Sequence, residues 1–228
     1  MIYFFSLLFF ILSLLSTTTA QTSYLDSLDG KFALQFQIGE NFTLTSFQGA
    51  TFSSKYHLGK RSAIRLGVSL FMDDASYNEH ETYIDTLNIT NDSEGNSNRN
   101  GIGFTLNSQY IAYLVSTDDI GFYIGSGPTF SFRNSDEESE RSSNSSGKYT
   151  TSYSNDFFSI GLDAIAGVEW SFYKNMSLSA EYGIKFYYYH ETDNYTTSYE
   201  FETRTNERTQ EGIHLTANYV NFGISVYF

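Results

Sequence analysis

The sequence predicts an all-β protein: an eight-stranded antiparallel up-and-down barrel of the transmembrane kind. Three observations predict it. Apolar side chains recur at every second position through eight separate segments, and one parity accounts for all of them. A period of two marks a strand whose two faces meet different surroundings. The chain also holds 21 Phe and 19 Tyr against a single Pro, a composition that favours strands. Finally, the joins between segments alternate between short and long, as they do in barrels with tight turns at one rim and long loops at the other. The mean hydropathy of −0.31 is consistent with this, because a barrel strand shows lipid only alternate residues.

Residues 1–20 read as a targeting segment. Ile2 to Leu15 is an apolar run broken by Ser6 and Ser13, and Ser16-Thr17-Thr18-Thr19-Ala20 follows. Small residues at Thr18 and Ala20 suit a cleavage before Gln21, and the run is short for a spanning helix. No positive charge precedes the run, the first being Lys31. The chain has no Cys, which excludes a lipid-modified cysteine anchor and any disulfide framework. Residues 21–30 are then a short leading segment, and residues 31–228 form one barrel domain.

The strands follow in order. Phe32, Leu34, Phe36 and Ile38 alternate with Ala33, Gln35, Gln37 and Gly39. Phe52, Tyr56 and Leu58 alternate with Ser53, Lys55 and His57. Ile64 to Met72, Ile102 to Leu114 and Ile120 to Phe130 repeat the pattern, as do Phe158 to Trp170, Met176 to Phe186 and Val220 to Phe228. Even-numbered apolar residues would face lipid, and odd-numbered small and polar residues the lumen. In lipid every backbone amide needs a partner, so the strands must close into a cylinder. Short joins fall at residues 59–62, 116–119 and 173–175. Longer ones fall at 41–48, 73–100, 133–155 and 191–211. Pro128 removes a ladder donor, so a bulge or local break is expected there.

This parity sends Lys55, His57, Arg65, Asp163, Glu169, Glu181 and Lys185 inward. Lys55, Arg65, Glu169 and Glu181 lie near the short turns, with Asp163 and Lys185 higher. An unpaired charge in a narrow lumen is costly, so these six are expected to form a structural ion-pair cluster. An eight-stranded barrel has little more room than its own side chains fill. A soluble ligand-carrying barrel would need an apolar interior, against which these charges speak. Aromatic girdles are expected from Tyr187, Tyr188, Tyr189, Phe157 and Phe158 at one rim. Trp170, Phe172, Tyr173, Tyr227 and Phe228 would form the other.

The long joins carry most of the charge. Residues 73–100, 133–156 and 191–211 hold 18 of the 26 acidic residues and a net −12 of the chain's −13. Such Ser- and Asn-rich acidic stretches read as solvated or disordered faces. Their sign argues against nucleic acid as a partner. Asp136-Glu137-Glu138 lacks the spacing of a calcium loop, and neither metal nor cofactor is expected.

The closing segment Asn221-Phe222-Gly223-Ile224-Ser225-Val226-Tyr227-Phe228 resembles the last strand of bacterial outer-membrane barrels. The chain resembles the small eight-stranded proteins of the opacity, OmpX and OmpA-barrel group, and within it the outer membrane protein beta-barrel domain family. Gly49 to Leu58 running through Ala63 to Val68 is similar to that family's second and third strands. The resemblance implies export to the outer membrane, contact with outer-membrane lipid and lipopolysaccharide, and handling by the barrel-assembly machinery. It makes Phe222, Val226 and Phe228 the assembly signal. It is unspecific for activity; the acidic loops point to a non-enzymatic barrel with a structural or surface-interaction role, for which an extracellular ligand of unknown identity is a candidate partner. A narrow porin-like channel for small solutes is the second reading and a lipid A-modifying enzyme the third. Enzymatic barrels of this size include a palmitoyl transferase and a lipid A deacylase, the latter with a His-x-Ser pair and a Glu; here His214 and Thr216 form His-x-Thr, expected on the outward face, with no Glu placed beside it.

Overall fold

The computed structural model describes residues 24–39, 49–84, 90–143, 147–217 and 220–228. The expected targeting segment 1–20, the join at 41–48 and Tyr219 lie outside the described residues. A short 3-10 helix, Tyr24–Ser27, precedes nine strands. These are β1 Phe32–Ile38, β2 Ala50–Gly59, β3 Ser62–Ile84, β4 Thr90–Ser116, β5 Ile120–Ser143, β6 Gly147–Tyr173, β7 Met176–Tyr199, β8 Thr203–Ala217 and β9 Asn221–Tyr227. Neighbours in sequence pair antiparallel from β1 to β7. β9 bridges β7 and β1 and closes the ring. The barrel wall therefore has eight strands around its circumference, and β8 extends the eighth position along the upper half of β7.

The parity argument holds around the wall. Leu34, Phe52, Leu66, Leu106, Ile124 and Leu162 are all exposed and point outward. Gln35, Lys55, Arg65, Gln109, Glu169 and Glu181 are buried inside. A continuous apolar exterior around a polar interior is unstable in water, where patches of this size aggregate. It is the surface that lipid covers.

Two expectations need correction, and the one at Pro128 is met in one of its two forms. The acidic stretches are not loops. β3 and β4 pair without a shift from Ser62↔Ala112 to Ile84↔Thr90, and β5 and β6 from Ile120↔Trp170 to Ser143↔Gly147. β7 and β8 pair up to Ser198↔Thr203. These polar residues satisfy their backbone in ladders, so both faces of the hairpins can meet water without disorder. Cross-strand ion pairs decorate them, including Arg99–Asp73 at 3.3 Å, Arg141–Glu79 at 2.8 Å and Lys148–Glu140.

Pro128 gives a local break in the ladder and no bulge, one of the two outcomes expected of it. It pairs in regular register with Leu162 of β6. The disturbance falls on the other side, where the β4–β5 ladder lapses between Asn107↔Thr129 and Tyr110↔Ser126 without an added residue. The strands are unusually close there: a Cβ on Gly127 would collide with the Ser108 carbonyl oxygen.

The second correction concerns β8. Ile184 faces Ala217, whereas Glu181 faces Asn221. One extra residue therefore lies on the β8–β9 side, and a one-residue slip inverts every side chain beyond it. In β8 the outward residues are odd-numbered, Ile213 and Leu215, paired with Tyr188 and Phe186. His214 and Thr216 consequently share the inner face with Tyr187 and Lys185, not the outward face.

The segment before β1 does more than lead into it. Leu25 and Leu28 are each 2% exposed and join Ala33, Ala63, Ile111, Tyr113, Tyr123, Ile165 and Tyr227 in the buried apolar cluster. Gly30 turns the chain at φ 72°, the left-handed region that glycine enters freely. The Gly30 and Lys31 N–H groups donate to His57 and Leu28 carbonyls at 3.2 and 2.9 Å, and Asp26 pairs with Lys60 of the β2–β3 turn at 3.3 Å. Two leucines thus stopper the turn end of the barrel.

Candidate functional site

The lumen is built in tiers. Each inward residue comes from a strand whose alternation is enforced by the apolar partner on the other face, so the polar set converges on the axis. The lowest tier centres on Glu169 of β6, which is fully buried at 0% exposure. Lys55 Nζ of β2 donates to its two carboxylate oxygens at 2.8 and 2.9 Å. Ser177 Oγ, Tyr113 OH and Tyr227 OH donate to the same carboxylate at 2.5 Å each. The His57 ring lies 5.7 Å from that of Tyr113 and 5.8 Å from that of Tyr227. A buried carboxylate surrounded by four donors loses little by leaving water, which is the condition for tolerating such a charge.

The second tier pairs Arg65 of β3 with Glu181 of β7. Arg65 Nη1 and Nη2 donate to Oε1 and Oε2 of Glu181, the latter at 2.9 Å. This is a bidentate pair, the geometry in which a guanidinium and a carboxylate bind best. Arg65 Nε donates to Gln109 Oε1 at 2.9 Å and Nη1 to Gln35 Oε1 at 3.1 Å. Tyr123 OH donates to Glu181 Oε1 at 2.6 Å. Gln109 Nε2 then donates to Asp163 Oδ2 at 2.8 Å, linking this tier to the next.

The third tier is Asp163 and Lys185, directly opposed in the β6–β7 register. Above the Arg65–Glu181 pair the lumen opens into a cavity of about 390 Å³, whose lining includes Thr51, Asn107, Asp163, Lys185, Thr216 and Asn221. Higher still, Arg133 lies over the Phe157 and Phe71 rings at 5.3 and 6.0 Å. Among the described residues no group of three or more His, Asp or Glu side chains is disposed to hold a metal.

The expected girdles are only partly where parity alone would put them. Trp170, Phe172, Tyr173 and Phe228 are exposed at the turn end. Tyr227 is instead buried in the lumen, bonded to Glu169. At the other rim Tyr188 points outward and donates to Glu211 at 2.7 Å. Tyr187, Tyr189 and Phe157 belong to the inner face. Phe157 stacks on Tyr189 at 6.3 Å, and Tyr187 lies 5.8 Å from the His214 ring.

Sequence reasoning passed over Tyr113 and the two buried leucines as members of the lumen, and gave Tyr227 to a girdle although its parity set it inward; Ser177 is inward as expected. The odd-numbered positions of Tyr113 and Tyr227 were the available signal. Leu25 and Leu28 carried none, because a segment before the first strand has no periodicity to read.

No family model matches the chain, and no curated protein matches it. Among solved structures it is similar to CarO2 of Acinetobacter baumannii, at 11% identity and a TM-score of 0.41, over 87% of this chain and 98% of that one. It is also similar to CarO of Acinetobacter baumannii, at 8% identity and a TM-score of 0.39, over 89% and 99%. A major outer membrane protein from Thermus thermophilus matches at 14% identity and a TM-score of 0.31, over 87% and 98%.

Proposed function

We propose that this chain is a non-enzymatic barrel of the bacterial outer membrane that carries rigid acidic hairpins beyond the lipid. The observation that supports this most is the contrast between its two ends. Buried ion pairs and two leucines fill the lumen at the turn end, while three long hairpins project from the other. A filled lumen suits anchoring better than transport, and a ladder-paired hairpin presents its charges in fixed positions. On this reading the turn end faces the periplasm. The apolar belt meets outer-membrane lipid, the hairpins stand near lipopolysaccharide, and Phe222, Val226 and Phe228 serve recognition by the assembly machinery. The inner-face position of His214 and Thr216, away from the lipid-facing side, supports the non-enzymatic reading.

The test has two parts. Fractionation with a heat-modifiability gel should place the unboiled, faster-migrating form in the outer membrane. Planar-bilayer recording should show no stable unitary conductance for the wild type. A wild-type conductance abolished by Glu181→Ala would replace this reading with the narrow channel. A lipid A mass shift on expression would replace it with the enzyme.

A further inference from the structure

Above the apolar belt the wall is incomplete. The β2–β3 ladder ends at Thr51↔Ser69 and the β1–β9 ladder at Ile38↔Phe222. β3 continues to Ile84 beside β4, and β8 runs from Thr203 to Ala217 beside β7. The hairpins are therefore an open sheet, β3 through β8, with a slot above β9, β1 and β2. The slot is edged by residues 76–84 of β3 on one side and 203–211 of β8 on the other. Among the described residues neither edge has a strand on its free side.

A long free edge invites another strand, and proteins usually blunt it with Pro, Lys or a bulge. Neither edge here contains Pro or Lys, and neither ladder shifts along it. The two edges also match each other. β3 runs away from the turn end and β8 runs toward it, so they are antiparallel. Setting the strand ends Ile84 and Thr203 side by side puts Glu79 opposite Arg208 and His80 opposite Glu207. Glu79 and Arg208 both belong to the inner face. Glu79 is still 54% exposed while it holds Arg141 at 2.8 Å, and Arg208 is exposed beside Asp193. Both can therefore be reached by an arriving strand.

We propose that the slot is completed by a second copy of this chain. A two-fold axis along the membrane normal turns the two slots face to face. The β3 edge of each copy then pairs antiparallel with the β8 edge of the other, inner face continuous with inner face. The two open sheets close into one ring standing on two barrels, and closure removes every free edge at once. The contact is self-complementary, so assembly stops at two copies. The opposed charges fix the register, which is what electrostatic complementarity does best. The inference rests on the membrane placement proposed above, because a shared membrane aligns the strands of the two copies.

The experiment is disulfide trapping between full-length chains, which have no Cys of their own. One chain carries Asn78→Cys and a second, differently tagged, carries Thr209→Cys, a pair brought opposite by the same register. Both are coexpressed, and isolated outer membranes are oxidised. The heat-modifiable band is read first, which separates a failure of membrane placement from a failure of pairing. The mixed dimer is expected at least about tenfold above the dimers of either chain alone, since directly opposed cross-strand positions suit a disulfide. Glu79→Arg in the first chain should lower its yield, and Arg208→Glu in the second should restore it. Ser76→Cys with Thr203→Cys, at opposite ends of the ladder, should not link. Folded barrels that give no mixed dimer would overturn the proposal. So would equal linking by the mismatched pair, which marks chance collision, or a yield that Glu79→Arg leaves unchanged. Asn78→Cys and Thr209→Cys placed in one chain and linking only internally would mean that the slot closes on its own edges, and would overturn it equally.

Discussion

Lys55 Nζ sits 2.8 and 2.9 Å from the two carboxylate oxygens of Glu169, although 114 residues separate them in sequence. Neither has a useful alternative partner in water, since both are buried. Removing one member should therefore cost about 3–5 kcal/mol, the penalty for a buried charge left alone. Lys55→Met is expected to fall in that range in urea unfolding of the lipid-reconstituted barrel. The double change Lys55→Met with Glu169→Leu should recover only part of the loss, because the buried Ser177, Tyr113 and Tyr227 hydroxyls then lose their acceptor. A single variant within about 0.5 kcal/mol of wild type, the ordinary surface range, would show that the tier contributes little.

Close backbone approach gives a second prediction. A Cβ at Gly127 would run into the Ser108 carbonyl oxygen, and one at Gly161 into that of Phe186. Backbone atoms cannot swing aside as a side chain can. Gly127→Ala and Gly161→Ala should each destabilise by about 1–3 kcal/mol through overpacking. At Gly59 the nearest atom is the Ser62 hydroxyl oxygen at 3.9 Å, so Gly59→Ala should leave the unfolding midpoint unchanged.

The leucine stopper gives a third. Leu25 and Leu28 are fully buried among the core side chains. Truncating either to Ala should cost about 2–5 kcal/mol, the loss of transfer energy plus the cavity left behind. Asp26→Asn, which breaks only the exposed pair with Lys60, should cost less than about 1 kcal/mol. Equal effects from Leu28→Ala and Asp26→Asn would mean the segment is held by its surface and not by its leucines.

The hairpins should respond to pH through Asp193 and Tyr153. Tyr153 OH and Asn155 Nδ2 donate to Asp193 Oδ1 at 2.6 and 2.7 Å. The Tyr153 hydroxyl, and after it the Asn155 amide, hold the Asp193 carboxyl below its ordinary pKa. The same hydrogen bond to Asp193 raises the Tyr153 phenol. A depressed carboxyl adds stability that is complete above its unfolded pKa and lost as pH falls through the folded one. A raised phenol adds stability that is complete below its unfolded pKa and lost as pH rises through the folded one. The contact is thus strongest between about pH 4 and about pH 10. Carbon-13 NMR titration of the Asp193 carboxyl should show its pKa return upward in Tyr153→Phe. An unmoved titration curve would remove Tyr153 as the cause.

The barrel wall was legible because lipid on one side and charge on the other impose a strict alternation, and residues such as Leu66 and Arg65 obey it. The inward placement of Lys55, Arg65, Glu169 and Glu181 followed from the same rule. What lay outside its reach was any feature without a period. The extra residue between Ala217 and Asn221 reverses the rule locally, so His214 and Thr216 were assigned to the wrong face. The acidic hairpins were read as loops because residues such as Asp73, Arg99 and Glu137 are polar on both faces. A ladder bathed in water on both sides leaves no hydrophobic trace. Tyr113 and Tyr227 were obscured by their chemistry: an aromatic ring suggests lipid, but a hydroxyl aimed at Glu169 suits the lumen.

The tiers also set the order of events as the protein forms. Lys55 and Arg65 lie on the second and third strands, and Glu169 and Glu181 on the sixth and seventh. Neither cation can meet its carboxylate until the intervening strands are in place and the sheet has curled round on itself. A partly made sheet would hold four uncompensated charges and an unsealed polar face, with no reward until the final juncture. Pairings this distant in sequence are slow to find. The lumen therefore acts as a latch on closure, and its chemistry disfavours stable half-built forms.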